Sequence, residues 1–389
     1  MKKFILLLLI LLIQSPLLAQ SNLKNVGIAK YAVLEVLADN TPLRQKDCEN
    51  SNRLTHFYKN TILFADKQTP NYYRVVLDND YYGFINKKAV EVQAVIPEKR
   101  FDSIEKVTKI ETKKDYKIFI ETPFLGATQI KEDSKTLNFT LFDNHFDPNK
   151  VKIEKDTKFQ YSKKIDTKFS LKYSDKLPLF GYGIEKYNKG YILSIKKSPK
   201  INKKKPLKNI VVIIDPGHGG SERGACAFGL EEKTINLEIS KKLKKELRKR
   251  GAKVYLTRKK DKKVTLNKRI EFAKEKNADI YLSIHQNSLP NRKDIDKKHG
   301  VGTYYYQNQS KPLAQTIQKN LIVATKFRDD KVNHASFAVI RPTEFLSVLI
   351  ECGYIIRKEE ANQLVDSKFQ KKISKAITKA LEDYLKESY

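Results

Sequence analysis

Tryptophan is absent from this 389-residue sequence, and cysteine occurs only three times, at Cys48, Cys226 and Cys352. An odd set with no close pair and no CxxC excludes a disulfide framework. Buried free thiols are the expectation for Cys226 and Cys352. Acidic side chains are scarce: 45 Asp and Glu stand against 76 Lys and Arg, a net charge of +31. Such a field favours polyanions, whether nucleic acid, anionic lipid or an acidic polymer. The lysines are spread along the whole chain and few aromatics interleave the dense basic clusters, which argues against specific nucleic-acid binding.

Long apolar runs are confined to the first residues. MKKFILLLLILLIQSPLLAQ carries two lysines, an apolar run from Phe4 to Ile13, then Pro16 and Ala19. That order is a secretory signal peptide over residues 1–19, cleaved after Ala19. The apolar run is short for a membrane span, and no cysteine near the cleavage site supports a lipid-anchored start. The mature chain is therefore expected to lack a transmembrane segment and to be exported, to the periplasm or to the cell wall and beyond. Export is a second argument against a nucleic-acid partner.

A chain of this length exceeds one ordinary core, so two or three domains are expected. Residues 29–95 hold short alternating segments, YAVLEVLA, NTILFADK, YYRVVLD, YYGFINK and AVEVQAV, separated by turn residues, which reads as a small β-barrel. The strand pattern continues through residues 99–198 in two similar passes. Residues 199–206 lie in the basic, proline-containing stretch KSPKINKKKPLKN and form the natural linker. From 207 to 389 the texture changes to alternating β and α elements. IVVIID, AKVYLT, DIYLSI, GVGTYYY, FAVI and SVLIE read as strands. Helices are expected over Thr234–Arg250, LNKRIEFAKEK, PLAQTIQKNLI and the C-terminal ISKAITKALEDYL. The whole is a multidomain chain with N-terminal all-β modules and an α/β domain built on a mainly parallel, doubly wound sheet.

In open α/β sheets ligands gather beyond the carboxyl ends of the strands. His218 follows IVVIID, His285 ends DIYLSIH, Glu351 ends SVLIE, and Glu232 opens the first helix. Four polar groups thus converge on one rim. A phosphate loop would need a lysine and a hydroxyl after the second glycine group, and GHGGSERG has neither. Two imidazoles and a carboxylate suit a catalytic zinc ion with a fourth position open.

VVIIDPGHGG, EKTINL, VYLTRKKDKKVTLNKRIEFAKEKNADIYLSIHQNS, GVGTYYY and LIECGY together resemble the zinc-dependent N-acetylmuramoyl-L-alanine amidases of the exported, cell-wall type, from about Leu207 to the C-terminus. The resemblance implies one Zn2+ held by His218, Glu232 and His285, and Glu351 as the catalytic carboxylate. Its EKxxNL frame selects Glu232 over the neighbouring Glu231. It implies cleavage of the amide between N-acetylmuramic acid and L-alanine of the stem peptide, with peptidoglycan as partner and anionic wall polymers as a further one. Arg269 matches a family arginine, to which only packing or charge pairing is assigned. Asp215 either orients a ligand or caps the turn, and His299 and His334 are surface or loop residues. The short QNSLPNRKDIDKKH between His285 and Gly300 leaves no room for an occluding helix. Upstream, TPLRQ and NYYRVVLDNDYYGFINKKAV resemble a bacterial Src-homology-3-like module with Tyr in place of its tryptophan, and residues 99–198 are similar to AMIN targeting domains. The alternative function is a catalytically silent wall-binding or activator protein on the same fold. Any divisome or activator partner stays open.

Overall fold

The computed structural model describes residues 31–78, 81–99, 102–133, 136–145, 159–162, 167–172, 179–188, 190–289 and 298–387. The signal peptide expected at 1–19 and residues 290–297 after His285 lie outside them. The described residues fall into two compact units. One is drawn from Met1–Glu111, Lys117–Lys172 and Ile184–Ser194, the other from Thr112–Tyr116, Tyr173–Gly183 and Ile195–Tyr389.

The first unit is all-β. Alternation along Tyr31–Val36 sends Ala32, Leu34 and Val36 into a core with Leu43, Leu63, Val75 and Ile85, the period-2 signature of a strand with one buried face. Seven antiparallel strands pair in the order Arg53–Phe57, Thr41–Arg44, Tyr81–Asn86, Tyr72–Asp78, Ile62–Gln68, Tyr31–Val36 and Val90–Ile96. A further antiparallel sheet joins Thr128–Glu132, Thr136–Leu141, Thr167–Lys172 and Phe159–Ser162, with Phe139 opposite Phe169.

The second unit is built on a six-stranded sheet. Its strands are β1 (Val211–Pro216), β2 (Lys253–Leu256), β3 (Ile280–Asn287), β4 (Val301–Tyr305), β5 (Asp329–His334) and β6 (Leu346–Tyr354), in the order β2-β1-β3-β6-β4-β5. β1, β2, β3 and β6 run parallel, while β4 is antiparallel to β6 and β5 parallel to β4. The sheet is therefore mixed: four of its five pairings are parallel, and the single antiparallel one, β6 with β4, reverses β4 and β5. A parallel return needs a long, usually helical crossover. No described residue between β3 and β4 is helical, and the chain comes back in the opposite direction. FAVI is not a strand: Ala338–Ile340 is a 3-10 turn. The strand lies earlier, in DDKVNH, an edge strand whose exposed polar side chains carry no hydrophobic period.

Among the described residues five helices cover the sheet: α1 (Glu232–Lys249), α2 (Leu266–Glu275), α3 (Lys311–Thr325), α4 (Lys358–Val365) and α5 (Ser367–Glu387). Ile235, Ile239, Leu243 and Leu247 form one stripe of α1. They pack with Ile373, Ile377 and Leu381 of α5 over Val212, Ile214, Leu282 and Val348. Ile213, Tyr281 and Leu349 point to the other face, where Ala273 of α2 and Val339 and Ile340 of the 3-10 turn cover them. Burial on both faces explains why β1, β3 and β6 read as continuous apolar runs. All three end at one edge of the sheet.

Candidate active site

The segment leaving β1 turns sharply, and His218 adopts a left-handed backbone with φ of 61°, unusual for a residue with a Cβ. Two buried guanidinium groups hold it there. Arg269 donates to the His218 carbonyl at 2.7 Å and to Asp215 Oδ1 at 2.5 Å. Arg258, 1% exposed, donates to the Pro216, Gly217 and Lys233 carbonyls at 3.0, 3.0 and 2.7 Å. Carbonyls at the end of β1, in the turn and at the start of α1 are thereby tied to one guanidinium. Asp215 also accepts from Thr257 Oγ1 and Ser283 Oγ, so it ties the strand ends together beneath the turn. The sequence reading missed Arg258. Its signal was position, an arginine directly after the carboxyl end of a parallel strand on the same rim.

Glu232 is the first residue of α1 and is 3% exposed. His218 Nε2 lies 3.1 Å from its Oε2 and His285 Nδ1 2.9 Å from its Oε1. The two imidazole rings stand 5.0 Å apart at 77°. One ligand atom from each of the three residues lies within 4.8 Å of the others. Backbone N–H groups of Ala225 and Gln286 and the Asn236 amide donate to the same carboxylate. Burial alone would raise the Glu232 carboxyl, but the two imidazoles hold it far below the usual range. Glu231 faces the other way, paired with Arg223 and Lys233. Two glycines make the space: a Cβ on Gly217 would sit 2.2 Å from the His285 ring, and one on Gly224 would sit 2.4 Å from Glu232 Oε2. Two imidazole nitrogens and a carboxylate oxygen converging in a cradle free of side chains fit a divalent zinc ion with a position left for water.

Glu351 of β6 lies directly opposite His285 of β3, and opposite Gly302 of β4 on its other side. Its Oε2 is enclosed and finds no hydrogen-bond partner among the described residues. Burial first, then the charges of Glu232 and Asp330, push this carboxyl well above the ordinary range. Cys352 beside it is buried, but Cys226 is exposed, against the expectation that both are buried; all three cysteines are free. Cys226 stands in a two-residue strand pairing with Leu230–Glu231 at the surface. His299 pairs with Glu360 at 2.9 Å and His334 stacks on Tyr306, so neither joins the three-residue cluster.

Residues 212–383 match the family described as N-acetylmuramoyl-L-alanine amidase. The uncharacterised protein YqiI of Bacillus subtilis is 33% identical over 196 residues, 49% of this chain and 93% of that protein. The amidase AmiC2 of Nostoc punctiforme is 33% identical, covering 48% of this chain and 98% of that structure, with a TM-score of 0.43. The chain belongs to the N-acetylmuramoyl-L-alanine amidases. Another relative of this amidase, LytC of Bacillus subtilis, is 36% identical over 178 residues, and the chain spans 35% of its length. His218, Glu232, His285 and Glu351 all lie inside the matched stretch, and the all-β regions precede it.

Proposed function

We propose that this amidase is an exported, zinc-dependent peptidoglycan hydrolase. It cleaves the amide between the lactyl carbonyl of N-acetylmuramic acid and L-alanine of the stem peptide. The observation that carries this reading is the convergence of His218, Glu232 and His285 beside an in-register Glu351. The first three would hold Zn2+, which when bound supplies a Lewis acid for the scissile carbonyl and lowers the pKa of the attacking water. The two imidazoles keep the Glu232 carboxylate ionised, and the backbone donors of Ala225 and Gln286 fix its orientation. Glu351 accepts the proton of the attacking water and delivers it to the alanine nitrogen as the C–N bond breaks. A carboxylic acid and a free amine result. Burial raises the Glu351 carboxyl, which makes its ionised form a stronger proton acceptor.

In the same reading residues 1–19 direct export and 207–389 perform the chemistry after a 199–206 linker. The Src-homology-3-like (29–95) and AMIN-like (99–198) modules bring the enzyme to the wall for remodelling or cell separation. Among the described residues no helix is long and apolar enough to cross a membrane.

The test is digestion of purified sacculi by the zinc-loaded protein, with Glu351→Gln beside it, read by mass spectrometry. The expected products are stem peptides beginning with L-alanine and intact glycan from the parent protein. The variant is expected to keep its zinc and to turn over about 10²–10⁴-fold more slowly. Sacculi bound but uncut by both proteins would instead support a silent wall-binding or activator role.

A further inference from the structure

Phe337 is 42% exposed, a phenyl ring left in water just before the 3-10 turn Ala338–Ile340, and nothing in the hydrolytic chemistry uses it. It meets the Tyr304 ring in a T-shaped pair, 5.4 Å between centroids and 74° between planes. Tyr304 belongs to β4, whose Gly302 is paired with Glu351. Side chains alternate across a strand, so Tyr304 and Tyr306 share the face of Gly302 and Glu351. Both pack against the core that contains Leu349 on that face. In the register Tyr304 is paired with Leu349, two residues before Glu351 on the same face of β6. Burial, then the charges of Glu351 and Asp330, lift this phenol to about 12, in keeping with that closeness. Tyr306 continues the strip, stacked on His334 at 5.3 Å and 21°.

We propose that Phe337, Tyr304 and Tyr306 form an aromatic platform that takes the C–H face of a pyranose ring in the glycan strand, beside the carboxylate that works on the amide. The proposal rests on the amidase reading above. Such a substrate has two arms, a peptide and a saccharide, and a rigid row of rings suits the second. A pyranose presents a flat C–H face ringed by hydroxyls, and aromatic faces bury that apolar area without losing side-chain freedom. The hydroxyl and acetamido rim stays wet, as the exposure of His334 and Ser336 allows. The stem peptide, with its small and charged residues, has no comparable flat apolar surface.

Because the chain has no tryptophan, Phe337→Trp in the full chain creates a single indole at the platform. Titration with N-acetylglucosamine tetramer, which carries no peptide, is expected to give a saturable blue shift. Adding Tyr306→Ala should weaken it. Phe337→Ala should raise KM for glycan-bearing muropeptide about fivefold and leave kcat within about twofold. An indole silent to the saccharide, or one that answers only to a sugar-free stem peptide, overturns the platform. Failure of the parent protein to cut sacculi overturns the amidase reading instead, since the fluorescence titration needs no turnover.

Discussion

Two adjacent glutamates, Glu231 and Glu232, have opposite fates in this protein. Glu231 ends an extended strand and stays at the surface with Arg223, while Glu232 opens α1 and turns between two imidazoles. Beneath them Asp215 carries a second, testable charge. Burial works to raise its carboxyl, but the Arg269 charge and hydrogen bonds from Thr257 and Arg269 outweigh it and hold the carboxyl below its ordinary value. A depressed carboxyl contributes stability that is present above its unfolded pKa, about 3.9, and lost as pH falls through the folded value. Urea midpoints should therefore fall as pH drops below about 4. Asp215→Asn should lose about 3–5 kcal/mol at neutral pH, because Arg269 stays buried and unpaired, and should show a shallower acid loss. A variant as stable as the parent at pH 7 would show that the pair adds no net stability.

At the scale of elements, α1 both carries Glu232 and anchors the fold. Its Leu243 is fully buried against α5 and the sheet. Leu243→Ala should cost about 2–5 kcal/mol, seen as an earlier denaturation midpoint by circular dichroism. Zinc stoichiometry of the folded protein should be unchanged, since Leu243 lies three turns from Glu232. Loss of zinc from the folded variant would mean that the helix N-terminus depends on the packing of its far end. The helical stripe of α1 and the apolar runs of β1, β3 and β6 were legible because burial leaves a period in the sequence. β5 was not, because an exposed edge strand has no hydrophobic period to show. FAVI misled because four apolar residues that fill a core serve a 3-10 turn as well as a strand.

For the whole molecule, a net charge of +31 makes adhesion to an anionic wall polymer the expected long-range contact. Screening shortens from about 10 Å at 0.1 M salt to about 3 Å at 1 M. Sacculus binding by the inactive Glu351→Gln protein should fall steeply across that range in a pelleting assay. Binding that ignores salt would place recognition in specific contacts of the all-β modules.

The sequence alone determined the chemical alphabet of the site, because His218, His285 and Glu351 each follow an apolar run and Glu232 opens an amphipathic stripe. It also marked the passage from all-β modules to an α/β domain, since the hydrophobic period changes there. Only the tertiary structure decided that β4 and β5 run against the other strands, because direction depends on the connection and not on residue pattern. Only it placed Arg258 and Arg269 under the His218 turn and set Tyr304, with Phe337 against it, on the strand beside Glu351. Those residues are far apart in the chain, and strand pairing, helix packing and the loops between them make them neighbours.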